Sequence, residues 1–172
     1  MATIPLSFDK LKSNHPSWQN IRSLVTNIPK IVDNTCAVQL SYALNRSDGV
    51  IGKYDYPDKN VDTGKVRAFV GNEGFNYIYS VLDLRVYLNN EYGDEENYKG
   101  NKQHMVSSIA GRQGILAFGH FHVDLWTGSD IHRPADYRPV LWPSKSVQLR
   151  GIFFWEVGMD ENGPYGCALP GY

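Results

Sequence analysis

An α+β fold, with helices first and a mainly antiparallel sheet after them, is predicted by three features of the sequence. Apolar residues recur at helical spacing early in the chain, through Trp18, Ile21, Leu24, Val25 and Ile28, and again through Cys36, Leu40, Ala43 and Leu44. After Gly111 the pattern changes to apolar runs and strict alternation, which is the signature of strands. The 172 residues, 42% of them hydrophobic, suffice for one core and are too few for two, so a single domain over residues 1–172 is expected. Helices and strands segregated in this order place the helices on one face of the sheet.

The first helix candidate runs from Trp18 to Ile28 and is closed by Pro29. Asn34 or Thr35 caps a second helix that starts near Cys36. Residues 45–74 are rich in Gly, Asp, Asn and Lys and read as irregular loop with room for a short strand. Ser80 and Asp83 resemble a capping box with Asp in place of Glu, opening a helix to about Leu88 that Tyr92-Gly93 ends. Residues 94–103 read as exposed loop, followed by a short helix candidate from Met105 to Ala110. Gly114 to Phe118 is an apolar strand, and Gly119 to Trp126 alternates as a second strand. Thr127-Gly128-Ser129-Asp130 is a turn signal, and Leu149 to Val157 is the last strand candidate.

Charge and composition exclude several classes. The net charge is −1, so no basic excess points to nucleic acid. No stretch approaches the roughly 20 apolar residues of a membrane span. Met1 to Trp18 lacks the charged start and apolar run of a Sec signal, so action outside the cytoplasm requires another export route. The two cysteines, Cys36 and Cys167, form neither a disulfide framework nor a zinc motif. A bridge between them would consume the thiol at position 36. His120 and His122 lack a third ligand, so no metal site is expected, and no cofactor is implied. His15 and His104 have no partner pattern and read as surface residues.

Chemistry concentrates in two places. At a helix N-terminus the free N–H groups and the macrodipole favour the thiolate of Cys36, and the Cys36 N–H is placed to donate to an oxyanion. Along Gly119 to Trp126, alternation directs Phe121, Val123 and Leu125 to the core. It leaves His120, His122, Asp124 and Trp126 on the opposite face, where a cleft explains two histidines better than a second core does. A cysteine on a leading helix and a histidine on a later strand form the papain-like arrangement, in which His122 is the base for Cys36. A third group orients the imidazole. A three-residue turn centred on Ser129 brings Asp136 opposite His122, and Asp136 is the expected third residue. A two-residue turn at Thr127-Gly128 brings Arg133 there instead, leaving Asp130 and His132 as alternatives. Two other functions use the same residues. A protein-directed cysteine protease or transglutaminase needs the same Cys36 and His122. A binding module would draw on the 11 tyrosines and 4 tryptophans, with Trp126 in its groove.

The segment Asn34-Thr35-Cys36-Ala37-Val38-Gln39-Leu40-Ser41-Tyr42-Ala43-Leu44-Asn45 resembles the nucleophile helix of the fourth family of type VI secretion amidase effectors. His122-Val123-Asp124-Leu125-Trp126-Thr127-Gly128 resembles their histidine strand, which reads His, apolar, Thr or Asp, Leu, Trp, any residue, Gly. Ser7-Phe8, Tyr77-Ile78-Tyr79, the helix to Tyr87-Leu88 and, more loosely, Gly151 to Trp155 also match, so the resemblance extends to about residue 157. It implies a papain-like (NlpC-type) fold and cleavage of the γ-D-glutamyl to meso-diaminopimelate bond in peptidoglycan stems. It also implies delivery by a secretion apparatus to the periplasm of a target bacterium, and neutralisation by a cognate immunity protein. The family often has Arg where Gln39 stands, and its aspartate commonly sits eleven residues after the histidine, where this chain has Arg133. Many members carry a cysteine pair in the following hairpin, which this chain lacks. The tail from Gly158 to Tyr172, with Cys167, has no counterpart.

Overall fold

The sheet is built from the end of the chain and joined by its first strand. A computed structural model describes residues 3–52, 66–71, 73–99, 101–132, 143–148 and 150–158. Strands β5 (Gly114–Phe118), β6 (His122–Trp126) and β7 (Ile152–Val157) are antiparallel, with β5 central. Along the outer edge of β7, β4 (Glu96–Asn97) pairs antiparallel with Phe153 and Phe154, while β1 (Thr3–Ile4) pairs parallel with Glu156 and Val157. A separate two-stranded ribbon joins β2 (Ala68–Val70) to β3 (Asn76–Ile78). The helices are α1 (Phe8–Asn14), α2 (Ile21–Leu24), α3 (Cys36–Asn45), α4 (Val81–Tyr92), α5 (Lys102–Ser108) and α6 (Lys145–Gln148). This is the expected α+β arrangement.

Alternation along the strands creates two cores. Ile115, Ala117, Val123, Leu125, Phe153, Trp155 and Val157 face α3 and α4 and pack with Leu40, Ala43, Leu44, Leu84 and Leu88. Leu116, Phe118, Trp126, Ile152 and Phe154 face the other way, against Met105 and Ile109 at α5. The sheet is therefore covered on both faces, whereas the sequence suggests one. Gly114 permits this closeness at the centre: a Cβ there would lie 2.2 Å from the Trp155 carbonyl oxygen.

Helix α3 is buried nearly all round, as a helix at the centre of a domain must be. Its polar residues are satisfied by neighbours. Ser41 Oγ donates to the Ile78 carbonyl and accepts from the Ile78 N–H, both at 3.1 Å. Asn45 donates to Asn76 O at 2.9 Å and accepts from Ile51 N–H at 2.8 Å. These bonds fix α3 against β3 and so fix where Cys36 emerges.

Several local expectations are corrected. The segment from Trp18 to Ile28 forms only the single turn α2; Trp18 and Leu24 are largely exposed, and Asn27 has a left-handed backbone, φ 64°. Helix α4, by contrast, opens on the Ser80 cap and is ended at Tyr92 by Gly93, φ 100°, as expected. Gly119 to Trp126 is not one strand. Gly119 (φ 58°), His120 and Phe121 form the turn between β5 and β6, leaving Phe121 48% exposed rather than in the core.

Candidate active site

The N-terminus of α3 meets the start of β6. Asn34 ties the two together. Its Oδ1 accepts from the Cys36 N–H at 3.1 Å, and its Nδ2 donates to the Phe121 carbonyl at 2.7 Å, across 87 residues of sequence. Thr35 occupies the N-cap position but makes no capping bond with its side chain. The Cys36 N–H is thus already paired, and the oxyanion role expected for it is not free in this conformation.

The structure brings Cys36 and His122 together in one cleft of about 230 Å³. Cys36 is a free thiol, 5% exposed, and lines the same cleft wall as the His122 ring. The ring's Nε2 meets Asp124 Oδ2 at 3.0 Å, so Nδ1 is the ring nitrogen left for the thiol. Burial opposes a charged imidazole. The Asp124 carboxylate and the Cys36 sulfur outweigh burial and raise the His122 pKa to about 10. The ring also stacks on Phe118, with centroids 6.2 Å apart, which limits its rotation.

The cleft walls come from the segment before α3. His15, Trp18 and Asp33 line it with Thr35 and Gln39. Gln39 anchors that wall: its Nε2 donates to the Pro16 carbonyl at 2.9 Å, and its Oε1 accepts from Thr35 Oγ1 at 3.3 Å. His15 is buried beside the cleft, not on the surface as its sequence context suggests. His104 is exposed, as expected.

The remaining sequence-predicted candidates fall elsewhere. Asp136, Arg133 and Cys167 lie outside the described residues. The turn after β6 holds four residues, 127–130, because Trp126 pairs with Ile131; it is neither the three-residue nor the two-residue turn considered above. Asp130 Oδ1 accepts from the Ile131 N–H within that turn. His132 donates its backbone N–H to Leu125 O and packs its ring 6.0 Å from that of His15. Trp126 is 1% exposed in the second core, with its indole N–H on the Ile109 carbonyl, so it lines no groove and lends nothing to a binding module. Asp124, which the sequence-based expectation did not name as a partner of the imidazole, lines the cleft and meets the His122 ring. Its signal was present, because alternation places it on the face of His122, but the orienting group was sought across the hairpin rather than along the strand.

Among the described residues no group of His, Cys, Asp and Glu side chains is arranged to hold a metal ion, and no helix is long and apolar enough to cross a membrane. The arrangement suits a thiol attack on a carbonyl carbon, with an adjacent base held from behind.

A family model described as type VI secretion system (T6SS), amidase effector protein 4 matches residues 32–155. No curated protein matches the chain. Among solved structures, the effector Tae4 from Salmonella typhimurium in complex with the immunity Tai4 from Enterobacter cloacae is similar over 89% of this chain and 99% of that one, with TM-score 0.60 and 20% identity. The Enterobacter cloacae Tae4-Tai4 complex matches over 88% and 95%, with TM-score 0.61 and 19% identity. The Enterobacter cloacae type VI effector Tae4 alone matches over 92% and 100%, with TM-score 0.58 and 17% identity. The chain shares their fold, the papain-like α+β arrangement that its sequence predicts.

Proposed function

Because the chain belongs to the amidase effector 4 family of the type VI secretion system, we propose that it is an antibacterial hydrolase of peptidoglycan stems, acting as one domain over residues 1–172. The bond cut is the γ-D-glutamyl to meso-diaminopimelate amide, with Cys36 as nucleophile and His122 as base. The observation that carries this reading is that Cys36, at the start of α3, and His122, held by Asp124 at the start of β6, line one cleft.

His122 takes the thiol proton, and the sulfur attacks the amide carbonyl carbon. The positive end of α3 lies under the negative charge that develops. The resulting imidazolium gives its proton to the amine nitrogen as the C–N bond breaks, leaving a thioester on Cys36. A water molecule, deprotonated by His122, attacks the thioester; the C–S bond breaks and the sulfur regains its proton. A third group holds the ring during both transfers. The enzyme acts in the periplasm of a target bacterium after delivery by the secretion apparatus. A cognate immunity protein protects the producer, as the Tae4-Tai4 complexes suggest.

Incubation of the purified protein with peptidoglycan fragments, followed by product mass analysis, tests this. Cleavage between D-glutamate and diaminopimelate is expected, with losses of at least about 10³-fold in Cys36→Ala and His122→Ala variants that melt like the parent. Full activity in Cys36→Ala, or cleavage of protein substrates while every stem stays intact, refutes it.

A further inference from the structure

The residue that orients the base stands two positions after it on the same strand. We propose that Asp124 is the positioning residue of this site, holding His122 by its Nε2 so that Nδ1 addresses the Cys36 sulfur. This rests on the reading of Cys36 and His122 as nucleophile and base. It departs from the sequence-based expectation of Asp136 and from a partner eleven residues beyond the histidine, where Arg133 stands.

Asp124 is placed as an orienting carboxylate should be. It is 4% exposed, so water competes little for its oxygens. One oxygen, Oδ1, accepts from the Leu125 N–H at 3.2 Å, which fixes the plane of the carboxylate. The other meets His122 Nε2 at 3.0 Å. A charge-assisted bond of this kind fixes the ring orientation and the site of its mobile proton. Cys36, which lines the same cleft, belongs to α3, so the imidazole lies where a helix start meets its own strand. Among the described residues the charged and titratable groups around the pair include Cys36 from α3, Asp33 before it, His15 after α1, and His132 beyond the turn, with Lys12 of α1 acting on His132. Base and orienting acid here share the five residues of one strand, β6.

The test uses the full chain in two measurements. The first follows the His122 ring by NMR through a pH titration in a Cys36→Ser background, which needs no turnover. Asp124→Asn keeps the shape and a hydrogen-bond acceptor but removes the charge, so the His122 midpoint is expected to fall by more than about one pH unit. Asp136→Asn is expected to leave that midpoint within about 0.3 units. The second measures stem cleavage. Asp124→Asn should lower kcat by about 10- to 100-fold with KM little changed, and move the alkaline limb of the pH profile to lower pH. Asp136→Asn should match the parent in both.

An unshifted His122 midpoint in Asp124→Asn overturns the proposal. So does a loss of kcat with an altered limb in Asp136→Asn alone. If Cys36→Ala retains activity, the hydrolytic reading fails instead, and the titration still reports on the Asp124 bond separately.

Discussion

Replacing Asn34 by alanine removes the two bonds that tie the start of α3 to the hairpin carrying His122. The Cys36 N–H loses its acceptor at 3.1 Å, and the Phe121 carbonyl loses its donor at 2.7 Å. Loss of a side-chain acceptor at a helix start costs about 1 kcal/mol. A net hydrogen bond is worth roughly 0.5–1.5 kcal/mol, and the exposed Phe121 carbonyl can recruit water, which favours the lower end. The expected destabilisation is therefore about 1.5 kcal/mol, or a fall in Tm of roughly 3–6 °C for a chain of this size. The effect on rate is larger in proportion, because Asn34 sets the separation of the sulfur and the imidazole. A displacement near 1 Å can cost about 100-fold, so kcat should fall by roughly 10- to 100-fold. Urea unfolding gives the stability and stem cleavage gives the rate. Asn34→Asp keeps the acceptor for Cys36 but not the donor to Phe121, and should fall between parent and alanine in stability. An alanine variant within about 0.5 kcal/mol of the parent with unchanged kcat refutes the idea that this residue couples the helix to the hairpin.

Three further outcomes follow from the packing and the charges. His122 has its folded pKa raised from 6.5 to about 10, so its stabilising contribution is full below about pH 6.5 and is lost as pH rises through 10. Urea unfolding at pH 7 and pH 10 should therefore show a larger loss of stability in the parent than in His122→Gln; equal losses contradict the assignment. Gly114→Ala pushes a methyl into the Trp155 carbonyl and the Phe154 ring and should destabilise by at least about 1–3 kcal/mol, read as a lower urea midpoint. Arg67→Ala leaves the fully buried Asp83 carboxylate without the guanidinium that meets it at 2.6 Å. Its cost should be about 3 kcal/mol, at the low end for a broken buried pair because Arg67 itself is half exposed. A change below about 1 kcal/mol in chemical denaturation contradicts that reading.

The two halves of the candidate site were legible because each depends on local pattern. Asn34-Thr35 before an apolar stripe marks a helix start wherever it falls, and alternation from His122 to Trp126 fixes which side chains share a face. What failed depended on partners remote in sequence. Trp18 and Leu24 repeat at helical spacing, yet Trp18 lines the cleft wall, and Ile21 and Val25 reach the core with Ile28 packed against them, so one turn of helix suffices there. The alternation of His120 and Phe121 continues that of β6 and conceals a turn that only the positive φ of Gly119 reveals. Trp126 shares the parity of His122, but α5 covers the sheet beneath it. That helix supplies only Met105 and Val106 to the second core, with Ile109 just past its end, a weak signal in seven residues. The four-residue turn does not have the strand register from which Asp136 was expected opposite His122, and Asp136 itself lies outside the described residues; the carboxylate at i+2 was already in view on the same face.

The pairing of sulfur and imidazole is tested most directly by the alkylation rate of Cys36 with iodoacetamide near neutral pH, read by peptide mass in the parent and in His122→Ala. Labelling of Cys36 far ahead of Cys167, with that lead lost when the histidine is removed, is the predicted result. Slow, equal labelling of both cysteines, or a Cys36 rate indifferent to His122, contradicts it.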